Sequence, residues 1–502
     1  MGRRLPVCRS RYRLQSAVSA LRGGAAVAAI ASCWVLATPA LAQDQNGHAA
    51  PAPVPTPAPT ATGTPATTDQ TSPQDSGSAA PTVADGSANA LPADGATQVA
   101  PTSQTDILSK NTLSLMLDAR LAIANGEQSF VNHGFGKTRF QGMANGDYRA
   151  RFVPAEADIV WEPRFTGSLS ANVSAAYQND THPGFGLIEA FVNYLPQTTK
   201  SVFFSARAGL MWPEISLEHS TGGAWSVVNS ITPSAINSWV GEETKVLGAE
   251  ASLHVSVGQH EFLATGGVFG FNDTSGTLLS FRGWALHDEK ATGFGHFPLP
   301  PLNPFITNIQ ANQTRSTIDL DHQPGYYLRL DWRPPWPFDL NVFYYDNRGD
   351  PQAFFVDTLQ WGWRTRFWNV GLSADLGPNT KLLAQGMSGS TIMGFEENGQ
   401  PWVHTYFRSA YVLLSQRLDD ANMLTGRVEA FGTREHGSEM SPLLNDEDGW
   451  AVTAALRHTF SRNLTGFAEA LNVRSQRGMR SLVGLDPFQA QTVFQLSLRF
   501  RI

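Results

Sequence analysis

The stretch Gln491-Thr-Val-Phe-Gln-Leu-Ser-Leu-Arg-Phe-Arg-Ile502 decides how the rest of the chain is read. Thr492, Phe494, Leu496, Leu498, Phe500 and Ile502 fall on one side of an extended strand; Gln495, Ser497, Arg499 and Arg501 fall on the other. Successive side chains of a strand point to opposite faces, so this ribbon has one greasy and one charged face. Such a strand, ending on a large apolar residue, suits the closing seam of a transmembrane β-barrel, with Phe494, Leu496, Leu498, Phe500 and Ile502 as the closure signal. A half-buried strand of a soluble sandwich alternates in the same way, so the remainder of the chain must decide.

The period of two recurs throughout. Leu113, Leu115, Leu117, Ala119, Leu121 and Ile123 oppose Ser114, Asp118 and Arg120. Leu247, Ala249, Ala251, Leu253, Val255 and Val257 oppose Glu250, Ser252 and His254, and the pattern returns at 169–177, 326–332 and 368–376. Compact turns fall at Pro163, Pro196-Gln197, Gln259-His260, Pro334 to Pro337, Gly377-Pro378-Asn379, Asp419-Asp420 and Ser461-Arg462-Asn463. From Trp336 they recur at Pro378, Asp420 and Arg462, an interval of one strand up, a loop and one strand down. Seven short turns with eight longer connections predict an all-β, 16-stranded antiparallel transmembrane β-barrel, both ends on the short-turn side. Trp161, Phe165, Tyr194, Trp332, Trp336, Phe338 and Phe460 lie beside those turns, where a membrane interface favours half-buried rings.

Composition agrees. The chain has 502 residues, 45 of them Gly, and only 16% are charged. Arg3, Arg4, Arg9, Arg11, Arg13 and Arg22 followed by the apolar Gly23 to Leu36 and by Ala40-Leu41-Ala42 read as a cleaved signal peptide, 1–42. The rival is a lipoprotein box at Ile30-Ala31-Ser32-Cys33, which the apolar run after Cys33 fits less well. Residues 43–105 hold Ala, Pro, Thr, Ser, Gly and Asp without an aromatic, and read as a disordered periplasmic linker. The barrel is then 106–502. Losing six signal arginines takes the formal charge from −7 to −13, which argues against nucleic acid as a partner.

The third outer connection, Trp212 to Thr244, is too apolar to stand in water, and the expectation is that it folds into the barrel. Glu214, Glu218, Trp225, Trp239, Glu242 and Glu243 are its candidate constriction residues. Strand parity assigns Asp118, Arg207, Glu250, Arg329, Asp331, Asp375, Arg427, Glu429, Arg457, Glu469 and Arg499 to the pore lining. A mixed-charge wall with Ser, Asn and Gly between holds water in a pore. Most aromatics are expected to face lipid. Connections at 272–324 and 436–447 are expected to be reachable from outside. No catalytic, metal or cofactor site is expected. Gly386-Met387-Ser388-Gly389-Ser390 lacks the closing glycine of a nucleophile elbow, the 12 His show no metal spacing, and Asn445-Asp446-Glu447-Asp448 reads as a solvated acidic turn.

With the barrel and third loop in hand, the chain resembles the porin superfamily, nearest to phosphate-selective porin-like barrels of proteobacteria. Arg207-Ala-Gly-Leu-Met-Trp-Pro-Glu214, Thr232-Pro-Ser-Ala-Ile-Asn-Ser-Trp-Val-Gly-Glu-Glu243 and Leu278-Leu-Ser-Phe-Arg-Gly-Trp-Ala285 carry the likeness. The C-terminus is similar to the closing signal of bacterial outer-membrane proteins, which usually end on Phe rather than Ile. The resemblance implies bacterial outer-membrane localisation, a homotrimer, passage of small polar solutes, and outer-membrane lipid, lipopolysaccharide and the barrel-assembly machinery as partners. Phosphate selectivity in that group depends on dense pore lysine and arginine; lysine is scarce here, so that property is not carried over. The expected function is passive diffusion of small hydrophilic solutes. A sugar-guiding channel, suggested by 13 Trp, and a non-conducting structural or adhesion barrel are the alternatives.

Overall fold

Every backbone N–H and C=O in the sheet finds a partner only if the sheet has no edges, and here it has none: sixteen antiparallel strands close on themselves. The computed structural model describes residues 105–502 apart from 221–224, 294 and 438–443. The signal segment 1–42 and, save Thr105, the linker 43–105 lie outside the described residues. The first eight strands are β1 Leu113–Ala124, β2 Arg149–Trp161, β3 Leu169–Gln178, β4 Phe185–Tyr194, β5 Val202–Met211, β6 Val246–Val257, β7 His260–Gly270 and β8 Gly325–Arg333. The second eight are β9 Phe338–Asp346, β10 Arg364–Gly377, β11 Thr380–Glu397, β12 Gln400–Arg417, β13 Asn422–Glu435, β14 Glu447–Ser461, β15 Leu464–Arg477 and β16 Phe488–Arg501. All seven short turns stand where the sequence puts them.

Closure is made by β1 against β16, from Met116↔Arg501 to Ala124↔Val493. Ile502 extends the seam, its N–H donating to Leu115 O at 3.0 Å while Leu115 N–H donates back at 3.1 Å. Alternation governs which residue faces where. Leu117, Leu330, Leu376, Val428 and Leu496 are each more than half exposed on the outer wall, whereas Asp118, Tyr327, Arg427 and Gln495 are buried. The short-turn rim carries a ring cluster, with Trp332 and Trp336 edge to face at 6.4 Å and Trp336 stacked on Phe338 at 6.1 Å.

The eight outer connections are less uniform than the strand count suggests. The third and fourth are long and carry helices α1, Ala235–Glu243, and α2, Thr277–Phe281. The sixth is only Asn398-Gly399, where an extended loop was expected. Both residues have positive φ, 53° and 79°, the two-residue hairpin that an Asn-Gly pair favours, so β11 and β12 run on as 18-residue strands.

Candidate functional site: the barrel interior

The inward positions of the strands pair acid with base along the wall. Asp118 accepts from Arg120 at 2.7 Å, Arg499 at 2.9 Å and Ser497 Oγ at 2.6 Å. Arg207 and Glu250 are register partners on β5 and β6, and their side chains meet at 2.7 Å; Tyr327 Oη donates to the other Glu250 oxygen at 2.5 Å. Arg329 forks onto Asp331 on its own strand at 2.6 and 2.8 Å, and Arg427 reaches Glu429 at 2.9 Å. Asp375 stands apart, exposed at the short-turn end of β10. Arg457 is half-buried, two positions nearer the turn than Ala455.

The third connection bonds to this wall. Arg427 donates to Glu218 Oε1 at 3.1 Å, to Thr232 O at 2.9 Å and to Pro233 O at 3.0 Å. Glu469 accepts from Ile231 N–H at 2.7 Å, Glu429 from Ala235 N–H at 2.7 Å, and Glu218 from Ser234 N–H and Oγ at 3.0 and 2.6 Å. Two carboxylates from distant parts of the chain, Glu218 and Glu429, therefore meet at the N-terminus of α1, where free N–H groups and the helix dipole favour negative charge, while Glu469 holds the main chain just ahead of it. Glu214 meets Arg207 at 3.2 Å. Trp225 stacks on Trp212 with centroids 4.4 Å apart, and buried Trp239 packs against Trp284, Phe367 and Phe407.

At the other end of α1, Glu242 and Glu243 sit where the dipole disfavours them. Glu242 is rescued by Arg282, which grips both its oxygens at 2.5 and 2.6 Å, and by His287 Nε2 at 3.0 Å. Burial pushes this carboxyl up, but Arg282 and His287 outweigh it and hold it at about 2. Glu243 has hydrogen bonds but, among the described residues, no cation: it accepts from Trp239 Nε1 at 2.7 Å, Gly276 N–H at 2.9 Å and Leu278 N–H at 3.0 Å. There burial prevails and raises it to about 7.

The fourth connection overturns an expectation. Much of 272–324 is not a surface loop: Leu278, Leu279, Phe281, Trp284 and Leu286 are fully buried. Arg120 and Arg139 hold Asp288 at 2.8 and 3.4 Å, and Arg139 also reaches Glu289 at 2.6 Å. Arg139 is shared with Asp180 as well, so Glu289 is only partly compensated and burial raises it to about 8. Arg477 donates to Ser280 O at 2.6 Å. The signal was present in the apolar run Leu278 to Ala285, more apolar for its length than the third loop. The expected solvated turn 445–448 holds for only half its residues, since Asp446 and Asp448 are exposed. Asn445 and Glu447 are buried, and Glu447 pairs with Lys137 and Arg477 beneath the fourth connection.

Aromatics likewise depart from the expectation that most face lipid. Phe269, Tyr327, Phe343, Tyr345, Phe367, Phe407, Tyr411 and Phe431 are all buried on inward positions of β7 to β13. They meet Trp239 and Trp284 from the two connections in one apolar cluster. Two cavities among the described residues have volumes of only ≈ 10 Å³ each, one lined by His219, Trp225, His287 and Glu289, the other by Arg139, Thr232 and Gln495. Each is about the size of one water.

No family model matches the chain, and no curated protein does. Among solved structures, the outer membrane channel DcaP of Acinetobacter baumannii is 8% identical, covering 80% of this chain and 100% of that one, with a TM-score of 0.47. The anion-selective porin from Comamonas acidovorans is 11% identical over 78% and 99%, TM-score 0.44. OmpT of Vibrio cholerae is 8% identical over 79% and 99%, TM-score 0.43. These neighbours are outer-membrane porins and barrels; none of the three is described as phosphate-selective.

Proposed function

We propose that the chain is an outer-membrane channel of the porin kind, passing small hydrophilic solutes through an interior narrowed by its third and fourth outer connections. One observation carries the reading. In a closed ring of 16 strands, β5 and β13 are eight places apart and face each other across the interior. The connection that leaves β5 hydrogen-bonds through Glu218 and Thr232 to Arg427 on β13, which supports its crossing the lumen. Glu214, Glu218 and Glu242 each have an arginine partner, so the passage has paired charges rather than one sign. Such a lining filters by size more than by charge. The outward apolar wall and the aromatic rim support a membrane setting, with the signal peptide and linker delivering the barrel there. A homotrimer remains part of this reading.

Purified barrel in a planar bilayer tests it: discrete ohmic steps are expected, with conductance below that of a wide open 16-stranded pore. The buried cluster in which Trp239 and Trp284 of the two connections pack on inward aromatics of the strands favours a second reading, a barrel closed by its own connections. A silent bilayer carrying demonstrably inserted protein would decide for it. Block by added sugar would instead point to the sugar-guiding alternative.

A further inference from the structure

The histidines show no metal spacing along the chain, but two of them meet in the fold. His182, in the second outer connection, and His296, in the fourth, are antiparallel partners in an isolated β-bridge. The main chain fixes the pairing, His296 N–H donating to His182 O at 3.0 Å. The two rings have centroids 5.7 Å apart and planes inclined by 15°. His182 is exposed and His296 half-buried, so an ion can reach the pair from solution.

That separation suits a shared ion. A zinc-type ion binds an imidazole nitrogen at about 2.0–2.1 Å, which puts each ring centroid about 3.2 Å from the metal and two centroids about 5.2 Å apart at a tetrahedral angle. The observed pair is wider by roughly 0.5 Å, which a small rotation of the exposed His182 side chain closes. The rings are also free to act as ligands. Among the described residues the histidine–carboxylate pairs are those of His287 and His322, so no carboxylate holds His182 or His296 as an imidazolium. Burial, then His182, Arg315 and His133, push the His296 imidazole below its ordinary value, which keeps it neutral at pH 7. Beside it, His133 of the first connection places Nδ1 3.0 Å from Leu299 O. A carbonyl only accepts, so Nδ1 carries the proton and Nε2 keeps its lone pair, the arrangement common in metal-ligating histidines.

We propose that His182 and His296 clamp one divalent transition-metal ion of the zinc or copper class between the second and fourth outer connections. Among the described residues only Asp273, Asp319 and Asp321 bring three ligand groups within 4.8 Å of one another, so the histidine site is a two-ligand clamp. Its other positions are filled by water or, after a side-chain rotation, by His133. Imidazole nitrogen selects such ions over magnesium and calcium, which take oxygen. The bound ion ties two connections that the chain joins only through the barrel wall, and it does so whether or not the barrel conducts.

The test uses the full-length barrel in detergent, carrying no histidine tag and titrated calorimetrically with zinc chloride at pH 7.5. The wild type is expected to bind one equivalent that excess calcium does not displace. The double variant His182→Ala, His296→Ala is expected to bind it at least roughly tenfold more weakly, the scale on which even outer-shell partners of a metal count. His322→Ala, which removes an exposed histidine elsewhere in the fourth connection, is expected to bind like the wild type. Zinc should slow hydrogen exchange at 181–184 and 296–299 in the wild type but not in the double variant, and binding should fade at pH 5 as protons take both rings. All variants lie outside the strand ladder, so each should still give a heat-modifiable barrel. Unchanged zinc affinity in the double variant would overturn the site, as would displacement by calcium. Slowed exchange at 273 and 319–321 instead would put the ion on the three aspartates and overturn it equally.

Discussion

Glu218 and Arg427 stand 209 positions apart in the chain, and their buried side chains meet at 3.1 Å. One belongs to the connection after β5, the other to the wall opposite. Neither charge is stable alone in that interior, because each has lost its hydration; each is compensated by the other together with Ser234, Glu429 and main-chain carbonyls. The contact therefore depends on both halves of the barrel being in register.

Removing the arginine should release the loop without dissolving the barrel. Arg427→Ala strands Glu218 and Glu429, a cost on the order of 3–5 kcal/mol for a broken buried pair, while the sheet ladder is untouched. Faster proteolysis within the third connection and higher single-channel conductance are expected. Deleting Ser220 to Ser238 should raise conductance and weaken ion selectivity, and deleting Leu278 to Leu286 as well should raise conductance further. Unchanged conductance in an inserted double deletion would remove both connections from the permeation path.

The interior should loosen as pH rises. Glu243 and Glu289 have folded values of about 7 and about 8, above the ordinary 4.5 of a glutamate. A carboxyl raised on folding contributes stability that is fully present below the unfolded value and is lost as pH climbs through the folded one. Between about pH 4.5 and 8 the packing of the fourth connection should therefore weaken, by up to about 1.4 kcal/mol per pH unit for each group. Hydrogen exchange of residues 276–291 measured at pH 5 and pH 8.5 checks this. Glu289→Gln should flatten the difference; a steeper one would contradict the assignment.

Burial redraws the surface map of the fourth connection. Thr307 and Asn308 are exposed, whereas residues 277–286 are buried. A tag at 307–308 should be labelled on intact cells, as should one at Asn398-Gly399, and a tag at Asp420 should not. Labelling at Asp420 in intact cells would invert the strand assignment.

Closure should depend on the last turn of the seam. Phe500→Ser, or loss of Phe500 to Ile502, removes outward apolar surface and the paired bonds between Leu115 and Ile502. Heat-resistant barrels should then fail to accumulate in membranes. Normal amounts of such barrels would show that β16 docks by other means.

Strand number, turn positions and facing were legible in the sequence because a half-wet sheet imposes a period of two, a purely local signal. Leu117 and Asp118 announce their faces from their neighbours alone. The burial of Ile231, Ile236, Trp239 and Val240 in the third connection was legible too, since such side chains do not stay in water. What only the tertiary structure decided is which charges meet and what fills the interior. Arg120 with Asp288, Arg282 with Glu242 and Lys137 with Glu447 pair across more than a hundred positions, or some forty, and no local pattern encodes such a partner. The burial of Trp284 and the inward aromatics likewise depends on two connections and strands β7 to β13 packing in one cluster, where apolar surface excluded from water on one element must find its cover on another.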